Sequence, residues 1–178
     1  MKDALLVVDV VNTFRHDDGE VLLASFRQRL EPMTGVLSAA RADPGLPVVY
    51  VNDSHGVWTG DAPGFVRRAV EEGEGGDVVE ALAPRTEEPF LFKGGYSAFD
   101  STPLMLVLDS FQVERVLLMG ASTEGCVVQS AIDGRERGLK VTILTGACAT
   151  ADESLEQVAL AYAEHVGGCR LSPDLDGR

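Results

Sequence analysis

Three side chains of complementary chemistry stand where apolar runs of the sequence end: the carboxylate of Asp9, the ammonium of Lys93 and the thiol of Cys126. Asp9 closes Leu5-Leu6-Val7-Val8-Asp9. Lys93 follows Phe90-Leu91-Phe92 and precedes Gly94-Gly95. Cys126 lies six residues past Gly120 in Gly120-Ala121-Ser122-Thr123-Glu124-Gly125-Cys126-Val127-Val128, which reads as a tight turn feeding a helix. A thiol at a helix N-terminus feels the positive end of the macrodipole and free N–H groups, and both favour thiolate. The same N–H groups are donors for an oxyanion formed when that sulfur attacks a carbonyl. A carboxylate can take the thiol proton and hand it to a departing amine, and an ammonium beside them stabilises the thiolate. Taken singly, each residue has a plainer reading: a small buried hydrophobe for the cysteine, a solvated loop acid, a snorkelling surface lysine. The placement of all three at strand exits is what points to chemistry.

The elements that would hold them follow from the apolar pattern. Continuous, β-branched runs at Ala4–Val10, Pro47–Asn52, Phe90–Phe92, Arg115–Gly120, Lys140–Leu144 and Cys169–Leu171 read as buried strands. Amphipathic stretches at Val21–Ala42, Pro63–Glu72, Pro103–Phe111, Thr123–Arg137 and Asp152–His165 read as helices between them. Alternation of this kind predicts an α/β fold of βαβ units with both faces of a parallel sheet covered. In such sheets ligands bind outside the carboxyl ends of the strands. The acidic, glycine-rich stretch Glu71–Asp77 reads as a mobile, solvated loop. Residues 1–172 are expected to form a single domain, with 173–178 a tail that frays.

The 178 residues carry 15 Lys and Arg against 28 Asp and Glu, a net charge of −13, which would repel a phosphate backbone or an anionic membrane. Neither nucleic acid nor membrane is expected as a partner. Ala4–Val8 is far shorter than a secretory core and is flanked by Asp3 and Asp9, and no other segment approaches the roughly 20 apolar residues of a membrane span. Cys126, Cys148 and Cys169 form no CxxC pair, so a reduced, cytoplasmic protein is expected. Position 132, where a tyrosine-phosphatase loop needs Arg, is Ile132, and no phosphate-cradling glycine motif is present, so neither NAD nor ATP is implied.

Three segments together resemble the isochorismatase-like cysteine hydrolase superfamily, which includes nicotinamidases, N-carbamoylsarcosine amidases and ureidoacrylate amidases. They are Leu5-Leu6-Val7-Val8-Asp9-Val10-Val11-Asn12-Thr13-Phe14, Lys93-Gly94-Gly95-Tyr96-Ser97-Ala98-Phe99 and Gly120-Ala121-Ser122-Thr123-Glu124-Gly125-Cys126-Val127. The resemblance implies a three-layer α/β/α fold with a six-stranded, mostly parallel, doubly wound sheet. It also implies a catalytic triad of Cys126, Asp9 and Lys93, a cis peptide joining Ala121 to Ser122, and an oxyanion hole made by the backbone N–H groups of Ser122 and Cys126. The implied reaction cleaves the C–N bond of a small amide, carbamoyl or ureido compound through a thioester. A homodimer or homotetramer is likewise implied.

The chain departs from its metal-binding relatives. Asp53-Ser54-His55 supplies the Asp-x-His of nicotinamidases, but the histidines are His16, His55 and His165, and none lies between His55 and Lys93. A zinc site would lack ligands, so no metal and no cofactor are expected. Asn52-Asp53-Ser54-His55-Gly56-Val57-Trp58 instead resembles the stretch of metal-free members, which makes nicotinamide a poorer substrate. Asp53, Trp58 and Tyr96 are candidate pocket residues. Trp58 either stacks on a flat substrate or plugs the loop beneath it. Phe14 could line the same pocket, with core packing the safer reading. Ser97 is expected to bond its own turn, and Cys148 and Cys169 to be inert core thiols. Two other functions are weighed: isochorismate-type vinyl ether hydrolysis, which needs no thiol and so sits badly with Cys126, and a catalytically silent binding module, which would not demand all three side chains.

Overall fold

The computed structural model describes residues 1–56, 58 and 60–177. Along the chain run β1 (Asp3–Val8), α1 (Gly19–Ala42), β2 (Val48–Asp53), α2 (Ala62–Glu72), α3 (Gly76–Ala81), β3 (Phe90–Lys93), α4 (Leu104–Phe111) and β4 (Arg115–Ala121). A π-helical turn, Thr123–Val127, then leads into α5 (Val128–Glu136), β5 (Lys140–Ala149), α6 (Glu153–His165) and β6 (Arg170–Ser172). The six strands form one sheet in the order β3-β2-β1-β4-β5-β6, parallel throughout.

Alternation along the strands splits the core in two. Leu5 and Val7 of β1 face Phe26, Met33 and Leu37 of α1 and Val78 of α3, whereas Ala4, Leu6 and Val8 face the side packed by α4, α5 and α6 through Leu108, Ala131 and Ala163. Helices therefore cover both faces, as the sequence pattern predicts, giving the three-layer, doubly wound α/β/α fold that the resemblance implies. Each fully buried Leu or Phe of these layers contributes about 2 kcal/mol of burial free energy.

From β1 the chain winds outward through β2 to β3, then returns to lay β4 on the other side of β1. Strand exits diverge at that point, and the crevice between them is where ligands bind in open α/β sheets. Gly120 makes the approach possible. Its φ is +128°, and a Cβ there would lie 1.9 Å from the Val8 carbonyl oxygen. No other residue fits, so the exit of β4 lies directly against that of β1.

Three local expectations are corrected. The stretch Glu71–Asp77 is packed: Glu74 N–H donates to the Thr13 carbonyl at 2.9 Å, and α3 buries Val78 and Val79 completely. Its glycines serve close approach; a Cβ on Gly75 would lie 2.6 Å from both Phe14 and Leu23. Strand β5 runs beyond Leu144 to Ala149, crossing an irregularity so that Cys148 pairs with Gly120 and Ala149 with Ala121. The tail does not fray as far as residue 177: Gly146 N–H donates to the Pro173 carbonyl, Asp174 accepts from the N–H groups of Asp176 and Gly177, and Leu175 packs on the core.

Candidate active site

The exits of β1, β3 and β4 bring Asp9, Lys93 and Cys126 together. Lys93 closes β3 with its side chain wholly buried, and its three N–H donors have three acceptors: Asp9 Oδ2 at 2.9 Å, the Gly95 carbonyl at 2.7 Å and Cys126 Sγ at 3.4 Å. The second oxygen of Asp9 accepts from the Asp53 N–H at 2.5 Å. Asp9 itself is turned into the crevice by a left-handed backbone, φ +50°. Both oxygens of the carboxylate are thus fixed, and the thiol lies against it.

Electrostatics set the resting protonation. Burial pulls the Lys93 ammonium down, but the Asp9 carboxylate and the Cys126 sulfur push it up further, so it stays a cation. Burial pushes the Cys126 thiol up, the Asp9 charge adds to this, and Lys93 opposes both; the result is about 12. The reading that the turn's position favours thiolate is therefore corrected. A helix-end field favours thiolate, but desolvation and a neighbouring carboxylate outweigh it here. The resting site is an ion pair beside a neutral thiol.

Cys126 is carried on the π-helical turn, which closes through Gly125 N–H at 3.2 Å and Val127 N–H at 3.1 Å, both donating to Ser122 C=O. The N–H groups of Ser122 and Cys126 take part in neither bond. The Ala121–Ser122 peptide is cis. Two buried side chains stitch the site together. Asn52 accepts from Val11 N–H and donates to Val11 C=O, both at 3.0 Å, tying the loop after Asp9 to β2. Ser130 of α5 donates to the Cys126 carbonyl at 2.6 Å and accepts from Ala98 N–H at 2.8 Å, tying the nucleophile turn to the segment after Lys93. Ser97 accepts from Phe99 N–H in its own turn and also donates to Asp133 of α5. Neither Asn52 nor Ser130 stands out by sequence, because only contacts across 41 and 32 residues give them these jobs.

The candidate pocket residues divide. Asp53 closes β2 with a half-exposed carboxylate whose Oδ2 is 4.0 Å from Lys93 Nζ, at the mouth of the site. Tyr96, 72% exposed, stands over the nucleophile turn beside Gly125. Trp58 is 60% exposed; its neighbours Val57 and Thr59 lie outside the described residues. Phe14 is 3% exposed and edge-packed on Phe26 at 5.4 Å, so it lines the core and not the pocket. The cause is local: Asn12 accepts the Phe14 N–H at 2.7 Å and holds φ at +58°, turning the ring inward.

A divalent metal does not fit the donor set. Asp53 Oδ1 and His55 Nδ1 are 3.8 Å apart, the His55 ring stacks on Phe65, and among the described residues no three acidic, histidine or cysteine side chains converge. Cys148 and Cys169 are buried, with their thiols pushed up by burial.

The family model of the isochorismatase domain matches residues 3–171. The chain belongs to the isochorismatase family. Among curated isochorismatase-family relatives it is 29% identical over 163 residues to the uncharacterized isochorismatase family protein YaaI of Bacillus subtilis, covering 92% of this chain and 89% of that one. It is 32% identical over 151 residues to a maleamate amidohydrolase of Pseudomonas putida, covering 80% and 70%. Among solved structures it superposes on the N-carbamoylsarcosine amidase of Thermoplasma acidophilum with a TM-score of 0.71 at 27% identity, covering 97% and 96%. The chain is accordingly an isochorismatase-family hydrolase.

Proposed function

We propose that this chain is a cysteine hydrolase that cleaves the C–N bond of a small amide, carbamoyl or ureido compound through a thioester on Cys126. The observation that carries the reading is the reach of one buried ammonium, Lys93 Nζ, to both the Asp9 carboxylate at 2.9 Å and the Cys126 sulfur at 3.4 Å. Amide cleavage by two relatives, as their names state, agrees with it.

The steps follow from the resting state. The Cys126 thiol is neutral and lies against a carboxylate with both oxygens held, which is the arrangement of a nucleophile and its general base. As Sγ bonds to the substrate carbonyl carbon, the thiol proton passes to Asp9 and the carbonyl electron pair moves onto oxygen. That oxyanion is held by the N–H groups of Ser122 and Cys126, donors of a kind worth roughly 10²–10³ in rate each. Collapse breaks the C–N bond while Asp9 gives its proton to the departing nitrogen, releasing ammonia or an amine. Water, deprotonated by Asp9, then attacks the thioester, and the acid product leaves as Cys126 regains its proton. Lys93 keeps the carboxylate placed and offsets the negative charge as it passes between oxygen and sulfur. Asp53, Trp58 and Tyr96 at the mouth contact the substrate body.

Ammonia release from a panel of primary amides, carbamoyl compounds and ureides tests this. At least one should be turned over by the wild type and none by Cys126→Ala. Turnover by Cys126→Ala, or acid-catalysed cleavage of a vinyl ether alone, would overturn it.

The proposal includes self-association. The outer side of α6 carries Leu155, Val158, Tyr162 and Val166, all exposed and spaced along one stripe, as a surface between copies in a homodimer or homotetramer would be. Gel filtration should give more than one chain's mass; monomer alone would remove this part. A reducing cytoplasm is the proposed compartment, in keeping with three free cysteines and with no helix among the described residues long and apolar enough to cross a membrane.

A further inference from the structure

The nucleophile turn must hold two N–H groups, those of Ser122 and Cys126, in fixed directions, yet the backbone bonds that close it, from Gly125 N–H at 3.2 Å and Val127 N–H at 3.1 Å, both run to the Ser122 carbonyl and use neither. Bonds to neighbouring elements brace it further. Glu124, on the turn, accepts from the Thr150 hydroxyl at 2.7 Å and from Ala151 N–H at 3.1 Å, both just beyond β5. Glu156, on α6 and buried, accepts from the Thr123 hydroxyl at 2.7 Å and from the Arg29 guanidinium of α1 at 3.0 Å. The Thr123 hydroxyl also lies 3.1 Å from the Ala149 carbonyl. Arg29 in turn donates to the Ser25 hydroxyl, which accepts the Thr150 N–H at 3.0 Å. Glu156 thus joins α1, α6 and the end of β5 to Thr123, the residue between Ser122 and the rest of the turn.

A buried carboxylate is a poor means of merely gluing helices, because apolar side chains of similar size do as well or better. What Glu156 offers that an apolar residue cannot is a directed acceptor, fixed by Arg29, on one side chain of the turn. We infer that Glu156 is a positioning residue for the hydrolysis proposed above: acting through Thr123, it fixes the Ser122 and Cys126 N–H groups where the oxyanion forms. It touches neither substrate nor the reacting atoms.

The test compares Glu156→Ala, Glu156→Gln and Thr123→Val with the wild type on whichever amide is hydrolysed, with kcat expressed per folded chain, the folded fraction read by circular dichroism, so that unfolded protein is not counted. Displacing the two donors without removing them should lower kcat about 10- to 100-fold in Glu156→Ala, less than the roughly 10²–10³ for deleting a donor outright. KM should stay within about threefold, since the amide's ground state does not use the hole. Glu156→Gln, which can still bond both Arg29 and Thr123, should recover most of the loss. Thr123→Val, nearly isosteric and leaving the Arg29 pair intact, should reproduce it and carries the test should Glu156→Ala not fold. The aldehyde analogue of the amide adds a readout that a purely structural role would leave alone. Its hemithioacetal on Cys126 places an oxygen in the hole, so its affinity should fall in step with kcat. Alkylation of Cys126 by iodoacetamide, which forms no oxyanion, should keep its rate. Wild-type kcat per folded chain and wild-type aldehyde affinity in Glu156→Ala and Thr123→Val overturn the inference alone. A wild type that hydrolyses no amide overturns the proposed function, and this role with it.

Discussion

Strand β3 has a buried cation–carboxylate pair at each end, and the two differ in what is left free. At its entry, Arg41 of α1 grips Glu88 with two bonds of 2.7 Å, and a further Arg41 donor reaches the Ala83 carbonyl at 2.8 Å. The Tyr50 hydroxyl beside them donates to the Leu82 carbonyl at 2.7 Å, and Glu88 also accepts from Arg85 N–H at 2.7 Å. At its exit, Lys93 faces Asp9 with Cys126 alongside. Both clusters contain a cation, a carboxylate and a weak acid whose proton burial makes hard to remove. At the entry the planar guanidinium matches the carboxylate fork for fork, and the weak acid is committed to a backbone carbonyl. At the exit a point-charge ammonium divides itself among three acceptors, one of them a sulfur, and the weak acid faces the carboxylate itself. Burial and charge alone do not make a site; a proton with somewhere to go does.

Several substitutions would break or sharpen that contrast. The largest effect is expected at the exit: Cys126→Ala should lower kcat by about 10⁴-fold or more, with the melting temperature little changed, as for removal of a catalytic nucleophile in general. Tyr50→Phe, its counterpart at the entry, should leave kcat within twofold. Equal losses from both would erase the distinction.

Glu88→Ala should do the reverse. Removing one partner of a buried pair costs about 3–5 kcal/mol, read by chemical denaturation, while kcat per folded thiol holds. Burial pushes the Glu88 carboxyl up, but hydrogen bonds from Arg41 and from the Arg85 backbone, with the Arg41 charge, hold it below its ordinary 4.5. The stability it contributes is therefore present above pH 4.5 and lost as pH falls through the lower folded value. Acid unfolding of Glu88→Gln should lack that component.

Lys93→Met removes the charge that opposes the rise in the thiol's pKa. It should slow Cys126 alkylation at every pH below 9 and lower kcat by about 10²-fold or more, the scale of one electrostatic stabiliser in a dry site. Smallest is Trp58→Ala. An aromatic contact worth about 1 kcal/mol should raise KM roughly fivefold at unchanged kcat.

Much of this was legible in the sequence where the signal is local. Continuous apolar runs marked five of the six strands to within two residues at either end, and the polar residue leaving each run marked Asp9 and Lys93. Helix α3 was not legible, because Gly73 to Asp77 reads as loop and only the burial of Val78, Val79 and Leu82 makes the segment after it a helix. The far half of β5 was hidden by Gly146 and by an irregularity that only its pairing with β4 reveals. For Phe14 the sequence left the pocket open beside the safer core reading, and its left-handed backbone decides for the core. The thiol's direction of shift was misread for a related reason: the turn is local, but the burial and the Asp9 charge that override it come from the rest of the fold. Glu156 meets Thr123 across 33 residues, and no spacing announces that.

The central claim is that Asp9 and Cys126 share a proton in one cleft, and the pH dependence of Cys126 alkylation by iodoacetamide, followed by peptide mass in the wild type and Asp9→Asn, measures it directly. With the thiol pushed up to about 12 by burial and by Asp9, the wild-type rate should still be climbing at pH 10, and Asp9→Asn should reach the same rate at lower pH while losing hydrolysis. A wild-type rate that levels off below pH 9, the ordinary thiol value, or an Asp9→Asn profile that does not move, would contradict it.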